Sequence, residues 1–207
     1  MLVEVWSDVV CPWCFIGKRR LETALEQAGV KDAEIVYRAF QLDPSATTDG
    51  ARTVDVISRK YGVSPAEAEK MMDNVTSVAA GEGLNFRLLD GVSGNTGDAH
   101  RLLLWAAEQG RGQEFVEALF HHYFELAEPV FTANDLLPIA EEVGLDRAAA
   151  AALLASDAYA DQVTADQAQA AAYGATGVPF FVFDRKVGFS GAQPLEVFVG
   201  ALEQVRS

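Results

Sequence analysis

Both cysteines of this 207-residue chain fall in one tetrapeptide, Cys11-Pro12-Trp13-Cys14, and its flanks narrow what the chain can fold into. Upstream, Leu2-Val3-Glu4-Val5-Trp6-Ser7 alternates apolar and polar side chains, as a strand does. Downstream, Cys14, Gly17, Leu21, Ala24, Leu25 and Ala28 recur at helical spacing, with Lys18, Arg19, Glu22 and Glu26 on other faces. Gly29 stops the run. The dithiol therefore sits where a strand hands over to a helix. The first amides of a helix have no internal acceptor and the dipole there is positive, so a thiolate at that end is stabilised. The thiolate is the reactive form. Cys11 is expected to be the exposed attacking thiol, and Cys14, one turn further in on the apolar stripe, the shielded resolving thiol.

Other uses of the pair fit less well. Structural zinc needs four ligands. Only His100, His121 and His122 could join the cysteines, and none has a paired His-x3-His spacing, so no metal is expected. Covalent haem needs His after the second Cys, and position 15 is Phe. A disulfide across two residues closes too small a loop to constrain much chain. A Cys-x-x-Cys beside a βα unit is the pattern of redox chemistry.

A formal net charge of −14 argues against nucleic acid and anionic membrane as partners, since both are bound through basic patches. No apolar run reaches transmembrane length, and Met1 leads into the strand without a signal-peptide pattern. The expected location is the cytoplasm, where lasting structural disulfides are rare and a dithiol is more often catalytic or redox-sensing.

After the first helix, Ala33 to Phe40 reads as a second strand, giving β-α-β with the strands parallel. Asp43-Pro44 and Thr47-Thr48-Asp49-Gly50 are loop chemistry. From Ala51 to Tyr173 the pattern is helical almost throughout. Ser64-Pro65-Ala66-Glu67 forms a capping box, and Thr132 and Asp146 are further caps. Helices are expected over Thr96–Gly110, from Gln113 through Phe124, and over Ala158–Tyr173. Strands return at Pro179–Phe183 and Lys186–Ser190, and a helix runs from Gln193-Pro194 to the terminus.

Four blocks in this order carry a family resemblance: Ser7 through Arg20 around the dithiol, Asn95 with Ala99-His100-Arg101, Gly177-Val178-Pro179-Phe180-Phe181-Val182, and Ser190-Gly191-Ala192-Gln193-Pro194. The chain resembles the thioredoxin-fold proteins of the DsbA class, and among them the FrnE-like DsbA oxidoreductases, over essentially its whole length. The resemblance implies an α/β thioredoxin fold, β-α-β … β-β-α, with a large all-helical insertion. The core would be residues 1–45 and 174–207 and the inserted domain residues 46–173. An X-Pro bond at a strand start is ordinarily trans. The resemblance implies instead that Val178–Pro179 is cis and lies beside Cys11, where an incoming substrate chain would pair. Glutathione-dependent 2-hydroxychromene-2-carboxylate isomerases and kappa-class transferases share this architecture but typically carry Ser where the attacking Cys stands. Both cysteines here favour dithiol exchange.

The expected function is thiol–disulfide oxidoreduction, with Cys11 and Cys14 as the catalytic pair and Pro12 and Trp13 modulating it. Val178 and Pro179 would bind substrate. Asn95 and His100 are accessory candidates, His100 being read more readily as a packing or surface histidine. Lys18, Arg19 and Arg20 could attract an anionic thiol such as glutathione, though they are more often a solvated face. His121 and His122, adjacent on a helix, cannot serve one ligand together. Met71-Met72 reads as core. No cofactor is expected beyond the redox-active cysteine pair, with glutathione as a candidate co-substrate. Partners would be disulfide-containing or dithiol proteins and peptides, and the protein a monomer or homodimer. Two alternatives remain: a glutathione-linked isomerase or transferase of a small aromatic compound, and a redox-regulated client-binding protein without turnover.

Overall fold

The computed structural model describes residues 1–48 and 50–206, so Asp49 of the expected loop and Ser207 at the end of the expected last helix lie outside the described residues. Strand β1 (Leu2–Ser7) leads through a short turn into α1 (Pro12–Gln27), and β2 (Glu34–Ala39) returns parallel to β1. Near the C-terminus β5 (Phe180–Phe183) and β6 (Val187–Ser190) form a hairpin, followed by α9 (Leu195–Arg206). The sheet order is β2-β1-β5-β6, with β5 antiparallel to β1. Its register pairs Trp6 with Arg38 and Phe180, and Val5 with Tyr37 and Phe181.

Alternation along β1 sends side chains to two different layers, and both are covered. Val3 and Val5 join the buried cluster of Phe15, Ile16 and Leu21 from α1 and Phe198 and Leu202 from α9. Trp6 faces the other way. Its ring meets Tyr173 edge-on at 5.5 Å and Phe180 at 5.8 Å, and its indole N–H donates to the Asp166 carbonyl at 2.8 Å. That layer is closed by α8 (Ala160–Ala172), which supplies Ala170 and Asp166. Glu4 lies on the same face with no solvent exposure. Its carboxylate takes Arg38 at 2.7 Å and Arg185 at 3.1 Å, the pairing a buried charge requires.

Between β2 and β5 run α2 (Thr53–Tyr61), α3 (Pro65–Gly81), α4 (Gly97–Glu108), α5 (Gly112–Phe120), α6 (Ala133–Glu142), α7 (Arg147–Leu154) and α8. The helix starts follow local cap chemistry. Ser64 and Glu67 form the capping box ahead of α3, Thr132 and Asp135 another ahead of α6, and Asp146 accepts the Ala149 amide. The segment is not all-helical. A two-stranded ribbon pairs β3 (Ala51–Arg52) with β4 (Val92–Ser93). Strands of two residues are too short to show alternation, and their pairing spans some forty positions, so no local pattern announces them. The helical periodicity expected through Phe124 also changes register, since α5 passes into a π-helical turn over His121–Glu125. Phe15 of α1 carries the core across into this segment: its ring stacks on Phe120 at 4.9 Å and on Phe86 at 5.8 Å, and Phe86 on Phe124 at 4.8 Å.

Candidate active site at the start of helix α1

Cys11 is the N-cap of α1, with extended backbone, and Pro12 begins the helix where its missing N–H costs nothing. The Cys11 amide donates to the Asp8 carbonyl at 3.1 Å, and the Cys14 amide to the Cys11 carbonyl at 2.9 Å. Both sulfurs are unpaired. The expectation of an exposed Cys11 is not met: it is 4 % exposed and Cys14 3 %. Cys11 is packed into the large buried cluster, and the Val178 carbonyl, from the far end of the chain, accepts a hydrogen bond from its thiol at 3.5 Å. The exposed residue of the tetrapeptide is Trp13, at 38 %.

Burial pushes the Cys14 thiol well above its ordinary value, and the neighbouring Cys11 adds to this through a hydrogen bond and its charge. The Ser7 hydroxyl and the Asp8 backbone act the other way. Ser7 Oγ is itself buried without a full hydrogen bond.

The Val178–Pro179 peptide bond is cis. The Pro179 carbonyl is taken by the Gly191 amide at 2.7 Å, which fixes the start of β5 against the end of β6. A Cβ placed on Gly17 would meet Phe181 at 3.0 Å and Pro179 at 3.2 Å. The glycine lets α1 approach the proline turn closely, and it thereby brings Cys11, Cys14, Val178 and Pro179 together.

The remaining candidates divide. His100 is buried and reaches Asp8, its Nε2 lying 3.2 Å from Oδ1. Asp8 has no place among the residues expected at the site from sequence. The available signal was a lone acid among apolar residues three positions before Cys11. Asn95 serves a loop: its side-chain amide donates to the carbonyls of Pro44 and Ala46 and accepts from Gln41 and the Gly97 amide. Lys18, Arg19 and Arg20 are not held open for an anionic thiol. Lys18 and Arg19 pair with Glu22 and Glu117, and Arg20 binds Glu82 and the carbonyls of Ala192 and Gln193. His121 pairs with Glu125, and His122 with Glu128 and Glu142. Met72 is buried with Val54 and Ala68, whereas Met71 is exposed. Among the described residues no cluster of His, Cys, Asp and Glu is arranged to hold a metal ion, and no helix is long and apolar enough to cross a membrane.

A sheet of order β2-β1-β5-β6, a Cys-x-x-Cys opening the first helix and a cis-proline turn facing it define the thioredoxin-fold class. Within that class the chain belongs to the family of the DSBA-like thioredoxin domain, whose family model matches residues 2–203. A crystal structure of a probable DsbA oxidoreductase from Streptomyces coelicolor is 44 % identical, covers all of this chain and 90 % of its own, and superposes with a TM-score of 0.94. The uncharacterised protein YwbO of Bacillus subtilis is 31 % identical over 97 % of this chain and 94 % of its own. A 2-hydroxychromene-2-carboxylate isomerase superposes with a TM-score of 0.74 over all of this chain and 96 % of its own; at 16 % identity it shares the fold alone.

Proposed function

We propose that the protein is a thiol–disulfide oxidoreductase acting on protein or peptide disulfides, with Cys11 as attacking thiolate and Cys14 as resolving thiol. The observation that carries this reading is the juxtaposition of two unpaired sulfurs at the start of α1, with the Val178 carbonyl on the first of them. In the reducing direction Cys11 thiolate attacks one sulfur of the substrate disulfide, forming a mixed disulfide and expelling the other sulfur as a thiolate. Cys14 then loses its proton and attacks Cys11 Sγ. The second substrate sulfur leaves, and Cys11–Cys14 closes as a disulfide. Two electrons pass to substrate, and a thiol of the compartment resets the enzyme. The oxidising direction is the same path reversed.

Residues 1–45 and 174–207 would carry the chemistry, and residues 46–173 would shape the substrate's approach. A reducing cytoplasm is the compartment that suits an unpaired dithiol. The engagement of Lys18, Arg19 and Arg20 in ion pairs favours a peptide over glutathione as the main substrate, since those cations are not left to receive its carboxylates. The test is turnover of a peptide disulfide. The wild-type protein should show it, Cys11→Ser should abolish it, and Cys14→Ser should accumulate covalent mixed disulfides. Turnover by Cys11→Ser, or glutathione-dependent isomerisation of an aromatic substrate without disulfide exchange, would reject the proposal.

A further inference from the structure

Asp8 and His100 form a pair with almost no solvent exposure, built from two distant parts of the chain. Asp8 closes β1's turn into α1, and His100 comes from the first turn of α4. The Asp8 carboxylate is used on both sides, by His100 Nε2 at Oδ1 and by the Leu42 amide at Oδ2, 2.7 Å away. A carboxylate only accepts hydrogen bonds, so Nε2 carries the ring proton. Nδ1 is buried without a partner. The ring's one hydrogen bond is therefore the one to Asp8.

The backbone of Asp8 holds the dithiol. Its carbonyl takes the Cys11 amide at 3.1 Å, and its backbone also acts on the Cys14 sulfur. The side chain is thus gripped by the helical segment while the main chain grips the reactive turn. The carboxylate belongs to the residue whose backbone holds the dithiol, and a buried charge acts through a weakly screening interior. Its negative charge opposes a thiolate, and the His100 N–H offsets part of that charge.

We propose that His100 and Asp8 are positioning residues of the dithiol, and that their hydrogen bond sets the balance between its reduced and disulfide forms. The inference rests on the oxidoreductase reading for its function. Its measurement, however, needs only that the cysteines exchange with glutathione. The reaction is reduced enzyme plus glutathione disulfide giving enzyme disulfide plus two glutathione thiols, followed in buffers of fixed ratio.

His100→Phe leaves the Asp8 charge less compensated, disfavours the thiolate and should shift the equilibrium toward the enzyme disulfide. Asp8→Asn removes the charge and should shift it toward the reduced form. Each shift should exceed about threefold, which lies within the range of couplings between neighbouring polar groups. His100→Gln places an amide N–H where Nε2 stands and should stay within about twofold of wild type. Opposite signs are what a merely structural role would not produce. If His100→Phe fails to fold, His100→Asn, whose shorter amide does not reach Asp8, takes its place. Shifts of the same sign in the two variants, or constants indistinguishable from wild type, would overturn the proposal. A wild-type dithiol that never forms a disulfide in these buffers would instead sink the oxidoreductase reading.

Discussion

The Cys11 thiol donates to the main-chain carbonyl of Val178 at 3.5 Å, joining residues 167 apart in sequence. The contact covers the sulfur and occupies the carbonyl that a substrate strand added along this turn would use. A thiol is a weak donor, so in the proposed reaction an incoming peptide N–H would replace it with a stronger bond. The sulfur would then be uncovered as the substrate backbone docks, which would couple recognition to reactivity.

The two thiols should differ in reactivity toward alkylation despite equal burial. Burial, then Cys11's hydrogen bond and charge, hold the Cys14 thiol protonated well above its ordinary range. At pH 8 iodoacetamide should modify Cys11 alone, and Cys14 should react only once the protein is unfolded. Peptide mapping by mass spectrometry reads the order. Earlier labelling of Cys14 would contradict the assignment of roles.

Gly17→Ala should destabilise the protein. In an open helix the change would stabilise by about 1 kcal/mol. Here the new methyl would sit 3.0 Å from the Phe181 ring, which is fully buried, and 3.2 Å from Pro179. Overpacking of this kind costs about 1–3 kcal/mol, so the urea midpoint should fall. Relief by movement of Pro179 would also lower disulfide turnover. A variant at least as stable as wild type would show that the close approach is not required.

What the sequence disclosed is what local chemistry decides. The change from alternating to helical periodicity across Cys11 placed the dithiol at a strand–helix junction, and Ser64 with Glu67 announced the start of α3. The pairings that tie the parts together carry no local period. Nothing in the α1 pattern tells that Phe15 will stack on Phe120, or that Glu4 will be buried against Arg38 and Arg185. Cys11 is covered by packing into the large buried cluster and by Val178 from the far end of the chain, and spacing carries neither contact. Asp8 is silent in the sequence for the same reason: its partner is 92 residues away, on α4.

Acid should release the lock between α1 and α5. Burial pushes the Glu117 carboxyl up, but hydrogen bonds from Arg19 and Lys18 outweigh it and hold the group below the usual range. A depressed folded value gives a stabilisation that is complete above the unfolded value of about 4.3 and lost as pH falls through the folded one. Glu117→Gln should therefore be less stable than wild type at pH 7, where Lys18 loses a partner 2.5 Å away. The difference should shrink as pH falls below about 4.3 and through the depressed folded value. Urea midpoints across this window test it, and a gap that stays constant with pH would show that Glu117 contributes through packing alone.

Asn95 should act as the clamp of the loop that follows β2. Its amide donates to Pro44 at 2.9 Å and Ala46 at 3.1 Å, and its oxygen accepts from Gln41 at 3.2 Å and from the Gly97 amide at 2.9 Å. An asparagine side chain has two donors and two acceptor lone pairs, and here all four are used. Asn95→Ala removes them together, leaving the loop held near the dithiol by the Leu42 amide on Asp8 and by the main-chain bond from the Asn95 amide to Thr47. Pro44 is exposed and Gln41, Ala46 and Gly97 are half-buried, so water takes up part of the loss and each bond is worth about 0.5–1.5 kcal/mol. The loss should be felt locally, as faster limited proteolysis within residues 41–48, before it is felt as global unfolding. Asn95→Asp keeps the acceptor toward Gln41 and Gly97 but sets a carboxylate oxygen against the Pro44 and Ala46 carbonyls, so it should loosen the loop at least as much as alanine does. If Asn95→Ala resists proteolysis as wild type does, these hydrogen bonds do not hold the loop, and its placement must come from the contacts of Leu42 and Asp8.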